Sequence, residues 1–196
     1  MADAKETEGK LRRPLLKGAF AMAATAMVAA PAVPAHAETF LKIEGIKGES
    51  KDQKHKDEIE ILSFTQSFIN TVELGGSSGG ASAGKVQCGA VTMMKSIDKS
   101  SPLLLKGVAT GQHYKEAVIT FRSGNTQVAS EYYVITMSDL LITELSQTDS
   151  ADPNRIFEKL VLNARTFEFK YSPTTIKGEL GAPVSFKWDC AANKAS

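Results

Sequence analysis

Residues 128–145 read VASEYYVITMSDLLITEL, and this stretch decides the fold class. Tyr132 to Met137 and Leu140 to Thr143 are aromatic, β-branched or apolar, side chains that pack well on a pleated, half-buried surface. Ser138-Asp139 reads as a break between two strands, 128–137 and 140–145, because both residue types favour turns.

The same grammar extends in both directions. Upstream, residues 117–121 place Ala117, Ile119 and Phe121 on one face, and Gly124-Asn125 offers a hairpin turn. Downstream, a polar loop at 147–154 precedes a strand at 158–171, where Phe167, Phe169 and Tyr171 share one side. Leu160, Val161 and Leu162 occupy both parities, which requires either a bulge or cover on both faces. After the Gly181-Ala182-Pro183 turn, Val184, Phe186 and Trp188 alternate with Ser185, Lys187 and Asp189 in a closing strand.

Nearer the N-terminus, Phe40, Leu41 and Ile43 mark a strand at 39–44. A charged loop, 49–57, leads into a strand at 58–70 that opens Glu58-Ile59-Glu60-Ile61. Residues 74–84, LGGSSGGASAG, read as a flexible linker. A strand at 85–97 follows, with Val86, Cys88, Ala90 and Thr92 on one parity. One helix is expected over 102–110, with a Ser at the N-cap, Pro102 at its first position and Gly111 as its stop. Many short strands with one helix indicate a closed barrel or sandwich rather than βαβ layers.

The 196-residue chain is 42% hydrophobic, enough for one core of ordinary size. Its first 37 residues carry five basic and three acidic side chains, so residues 38–196 hold 18 basic and 19 acidic ones, a net −1. That balance leaves no electrostatic footprint for nucleic acid and no basic run for a membrane surface. Phe167, Phe169 and Tyr171 therefore read as core packing rather than a base-stacking platform.

Residues 1–37 read as a cleavable export signal. Arg12-Arg13 precede the uncharged stretch Gly18 to Ala30, and Ala35-His36-Ala37 supplies a small-x-small cleavage site. The apolar stretch is too short for a stable span of ~30 Å of hydrocarbon. The run Arg12-Arg13-Pro14-Leu15-Leu16-Lys17 resembles a twin-arginine signal, with the Sec route as the alternative. The expected location is periplasmic or secreted, or cytoplasmic if the signal is unused. Residues 38–196 are expected to form a single domain.

No catalytic, cofactor or metal site is expected. Asp52, His55, Asp57 and Glu58 crowd one loop, but a single His in a charged loop lacks the spacing of a closed metal site. Ser63, Ser67 and Ser138 stand in no Gly-x-Ser-x-Gly elbow. Gly84-Lys85 is followed by Val86, where a phosphate loop needs a hydroxyl. Cys88 and Cys190 are the only cysteines; a disulfide between them and two free buried thiols both stay open.

Taken in order, several short motifs resemble the Hcp family of type VI secretion systems. These are Phe40 to Ser50, Asp52, His55, Glu58 to Phe64, Asp98 to Leu103, Tyr132-Tyr133, Glu158-Lys159-Leu160, Phe169 to Pro173 and Trp188-Asp189. The resemblance runs from residue 39 to about 189 and implies a mainly β fold, a barrel of two antiparallel sheets with one short flanking helix. It further implies six-membered rings of identical subunits that stack into a tube, with sheath, spike and small effector proteins as partners. Glu49, Ser50, Asp52 and His55 would lie where one ring meets the next. Thr65-Gln66 after the Ser-Phe pair and the export signal depart from the family's usual pattern. The signal favours a second possibility, a periplasmic or extracellular binding module of the same fold.

Overall fold

The structure is a computed structural model that describes residues 38–71, 84–123, 130–149, 156–173 and 179–196. The expected export signal, the Gly/Ser run before Gly84, the expected hairpin turn at Gly124-Asn125 and the part of the expected polar loop after Asp149 lie outside the described residues.

Strand β1 (Glu38–Ile43) lies between β2 (Ile59–Ile61) and β7 (His113–Arg122). β7 pairs with β8 (Glu131–Asp149), β8 with β9 (Ile156–Tyr171), the first half of β9 with β6 (Val91–Ser96), and β6 with β3 (Ser63–Thr65). Only Leu62 separates β2 from β3, and its N–H donates to the Met94 carbonyl at 2.8 Å. The pairing circuit thus returns to β1. A closed, antiparallel barrel results, which removes the exposed edges an open sheet would carry.

The second half of β9 pairs instead with β10 (Val184–Asp189), which carries β11 (Lys194–Ala195). A separate two-stranded sheet joins β4 (Phe68–Asn70) to β5 (Val86–Cys88). The architecture is therefore mainly β, with two antiparallel sheets and one helix, α1 (Ser101–Thr110). Leu41, Ile59, Met93, Ile119, Ile135 and Leu160 fill the barrel and are wholly buried.

Several segments divide differently from the sequence pattern. The span 58–70 is three short strands and 85–97 is two, because the chain passes from the barrel to the small sheet and back. At the return, Gly89 donates to the Ser67 carbonyl at 2.7 Å, and a Cβ at Gly89 would sit 2.4 Å from Ser67 Oγ. The even parity of Val86 and Cys88 does not continue past this point; Val91, Met93 and Lys95 face inward.

Conversely, 131–149 is one strand. Asp139 adopts φ +54°, a conformation that Asp tolerates better than most residues. It bends β8 without ending it, since Ser138 still pairs with Thr166 and Leu140 with Ala164. A bulge at Thr143, between Ile142 and Glu144, shifts the register opposite Leu162 and Val161. Leu160, Val161 and Leu162 are all buried there, so cover on both faces accounts for their mixed parity; the extra residue lies in β8, and β9 keeps unbroken register with β6.

The helix starts one residue early. Ser100 is the N-cap but makes no side-chain cap bond, and Pro102 lies in the first turn. Gly111, at φ +59°, closes the C-terminus. Leu104 and Gly107 face the barrel; a Cβ on Gly107 would fall 2.5 Å from the Tyr114 hydroxyl, so the helix seats only because that position has no side chain.

Candidate functional site: a braced loop, a buried ion pair and an open aromatic row

The loop between β1 and β2 gathers the four residues expected at a ring contact. Three of them brace it from within. His55 is buried and stacks on Phe40 at 4.4 Å between centroids with planes 9° apart. Its Nδ1 lies 2.9 Å from Glu58 Oε2, while Nε2, without a hydrogen-bond partner, lies 3.7 Å from Glu131 Oε1. Asp52 accepts from the Lys54 and His55 N–H groups at 2.9 and 3.1 Å and pairs with Arg122, which also pairs with Glu38 and lies over the Phe40 ring. Ser50 is buried, and its N–H donates to the Glu58 carbonyl. Glu49 is exposed and accepts from the Lys99 N–H at 3.1 Å.

Burial works against ionisation of Asp52, but the Arg122 hydrogen bond, the two backbone donors and the Arg122 charge outweigh it and hold the carboxyl below its usual range. Asp57, at φ +61°, is likewise held low by Lys99, through both hydrogen bond and charge, with Lys47 adding to it. Asp52 and Asp57 therefore answer to arginine and lysine side chains. Among the described residues, no group of three or more His, Cys, Asp or Glu is placed to hold a metal ion.

Replacing Arg122 with methionine should free the loop's inner brace. Hydrogen bonds to charged groups contribute ~1.5–3 kcal/mol, so trypsin should cut at Lys51, Lys54 and Lys56 about tenfold faster or more. Unchanged cleavage would mean that His55 and Gly48 hold the loop without Arg122. Gly48 has a strong claim of its own, because a Cβ there would lie 2.3 Å from the Glu58 carbonyl oxygen.

Beside the loop lies an ion pair that sequence patterning missed. Lys95 and Glu158 are both fully buried, with Nζ 2.7 Å from Oε2. Lys95 also reaches Asp98 at 2.8 Å, the Ser96 carbonyl at 2.8 Å and Ser101 Oγ at 3.1 Å. Ser101 donates to Glu158 at 2.6 Å and accepts from the Asp98 N–H, while Gln147 donates to the other Glu158 oxygen at 2.9 Å. The Ser101 hydroxyl is thus spent on tying the helix to β6 and β9 rather than on capping the helix.

The second surface feature is an aromatic row. Directly opposed residues on paired strands project to the same face, so Met137, Phe167 and Trp188 form one rank, Ile135, Phe169 and Phe186 the next, and Tyr133, Tyr171 and Val184 the last. The row begins in the core, where Phe167 is buried, and ends in solvent, where Phe186 is 53% and Val184 70% exposed. Tyr171 is 48% exposed, so the core packing expected of it stops short at this rank. Phe68 of β4 covers the inner end, edge-on to Phe167 and Phe169 at 5.5 Å.

A family model described as "Type VI secretion system effector, Hcp" matches residues 40–177. The chain belongs to the Hcp family. It is 33% identical to protein hcp1 of Pseudomonas aeruginosa over 157 residues, covering 80% of this chain and 96% of that one. It superposes on the crystal structure of Hcp1 from Salmonella typhimurium with a TM-score of 0.68 at 32% identity, over 82% of this chain and 99% of the other. A type VI secretion system effector from Yersinia pestis matches with a TM-score of 0.60 at 27% identity, over 77% and 98%. Hcp is a family of structural tube proteins rather than enzymes. Among the described residues of this Hcp chain, no helix is long and apolar enough to cross a membrane.

Proposed function

We propose that residues 38–196 are a single Hcp domain that closes into a homohexameric ring and serves as a type VI tube subunit, and that residues 1–37 are a cleaved twin-arginine export signal. The observation that carries the ring is the aromatic row that leaves the core and stays open at Tyr171, Val184 and Phe186. Contiguous apolar surface of this kind marks an interaction face, and a head-to-tail contact repeated with the right rotation closes a ring. The loop carrying Glu49, Ser50, Asp52 and His55 is the candidate contact between stacked rings, because internal bonds already fix its shape and little entropy remains to be lost on docking. Sheath, spike and small effector proteins in the lumen are the partners this role implies.

Electron microscopy and size exclusion of residues 38–196 should show ring particles. A monodisperse monomer over a wide concentration range would reject the assembly reading. The paired arginines ahead of Gly18 favour a second reading, a periplasmic or extracellular module exported without a type VI apparatus. Equal amounts of mature protein in the periplasm with and without the apparatus would select it. Substituting Arg12→Lys and Arg13→Lys together should make uncleaved precursor accumulate, whereas normal processing would assign export to the Sec route.

A further inference from the structure

The β4–β5 hairpin is attached to the rest of the molecule in an unusual way. Its two strands of three residues form a sheet of their own, outside the ladder that closes the barrel. Its ends meet at Ser67 and Gly89, joined by the Gly89 N–H to Ser67 carbonyl bond, which makes that point a natural hinge. Away from the hinge, the described residues attach it through Phe68 against Phe167 and Phe169, the Val86 N–H donating to Asn193 Oδ1 at 3.1 Å, and a disulfide from Cys88 to Cys190, Cα atoms 6.1 Å apart, whose half-buried cysteines pack against the core. The disulfide joins β5 to the residue that follows β10, across 102 positions of sequence.

We propose that the Cys88–Cys190 disulfide is a redox latch that holds the β4–β5 hairpin over the inner end of the aromatic row. A two-stranded hairpin of this length is at best marginally stable on its own. All three residues of β4 are exposed, so its burial against the barrel adds little beyond the Phe68 edge contacts. A dithiol opens the latch by thiolate attack on one sulfur through a mixed disulfide. Two electrons and two protons end on the Cys88 and Cys190 thiols, and the reductant leaves as its own disulfide. The freed hairpin then swings about Ser67 and Gly89 and uncovers Phe167 and Phe169. The exposed patch of Tyr171, Val184 and Phe186 thereby grows inward into a larger apolar face. An oxidising compartment keeps the face small, and a dithiol enlarges it.

The latch predicts a local effect, separable from ring formation. Hydrogen exchange on the full chain, with and without dithiothreitol, should show protection across Val86 to Cys88 falling at least tenfold on reduction, while β7, β8 and β9 keep theirs. A hydrophobic dye should brighten in step. The double variant Cys88→Ser/Cys190→Ser should match the reduced protein and ignore the dithiol. Retained hairpin protection after reduction would overturn the latch, because the Phe68 contacts would then suffice. Loss of protection throughout the barrel would overturn it too, since the bond would be a general brace. So would two titratable thiols per chain after equilibration in an oxidising glutathione mixture.

Discussion

Replacing Lys95 with methionine is expected to lower the unfolding free energy by about 3–5 kcal/mol, the usual consequence of leaving one member of a buried ion pair alone. Glu158 has no exposure and would keep only Ser101 and Gln147 as donors. The double variant Lys95→Met/Glu158→Leu should recover most of that loss, because apolar side chains of similar volume often replace a buried pair at little or no cost. Guanidinium unfolding midpoints of the two variants decide the matter. If the double variant is as unstable as the single, the network contributes shape that apolar groups cannot supply.

The same pair sets an acid limit. Burial opposes ionisation of Glu158, but hydrogen bonds from Lys95, Ser101 and Gln147, together with the Lys95 charge, outweigh it and hold its carboxyl below the ordinary value. A carboxylate with a lowered folded pKa binds fewer protons folded than unfolded. Its stabilisation is therefore complete above the unfolded value, ~4.3 for Glu, and drains away as pH falls through and below it. Asp52 shifts in the same direction through Arg122. Thermal scans between about pH 6 and pH 3 should show wild type losing stability more steeply than the apolar double variant. Parallel slopes would assign the acid limit to Asp52 and the exposed carboxylates.

Alternation and turn chemistry made much of this fold readable. The residues on either side of Ser138-Asp139 are strand formers, as expected, but the break became a bend because both flanks already had partners in β7 and β9. Local sequence carries no record of such partners. Lys95 shows the same limit more sharply. At the end of Val91, Thr92, Met93 and Met94 a lysine reads as a solvated position, and its partner lies 63 residues further on. The charged loop was visible as a crowd of acids around His55, yet what turns His55 and Asp52 inward is Phe40 below and Arg122 from 70 residues away. The aromatic row was legible strand by strand. Its exposure at Tyr171, Val184 and Phe186 was not, because exposure depends on how far Phe68 and its hairpin reach.

That exposed end is where the largest effect on assembly is expected. In the proposed ring, Phe186→Glu should convert ring particles to monomers at concentrations where the parent assembles, a shift of at least about a hundredfold in the midpoint of association. Aromatic anchors at the centre of an interface commonly contribute ~2 kcal/mol or more, and a carboxylate buried there unpaired costs several more. Because a ring repeats one contact, every interface carries the same penalty. The isolated subunit loses much less. Phe186 is half-exposed and gives up its stacking on Trp188 and its cross-strand partner Phe169, a loss on the order of 1 kcal/mol. Sedimentation velocity should therefore report monomers whose circular dichroism and melting midpoint remain close to the parent's. Lys187 projects from the other side of the same strand, so Lys187→Gln should leave the rings intact. Rings that survive Phe186→Glu would move the self-association surface off the β9–β10 face and leave the aromatic row to a different partner.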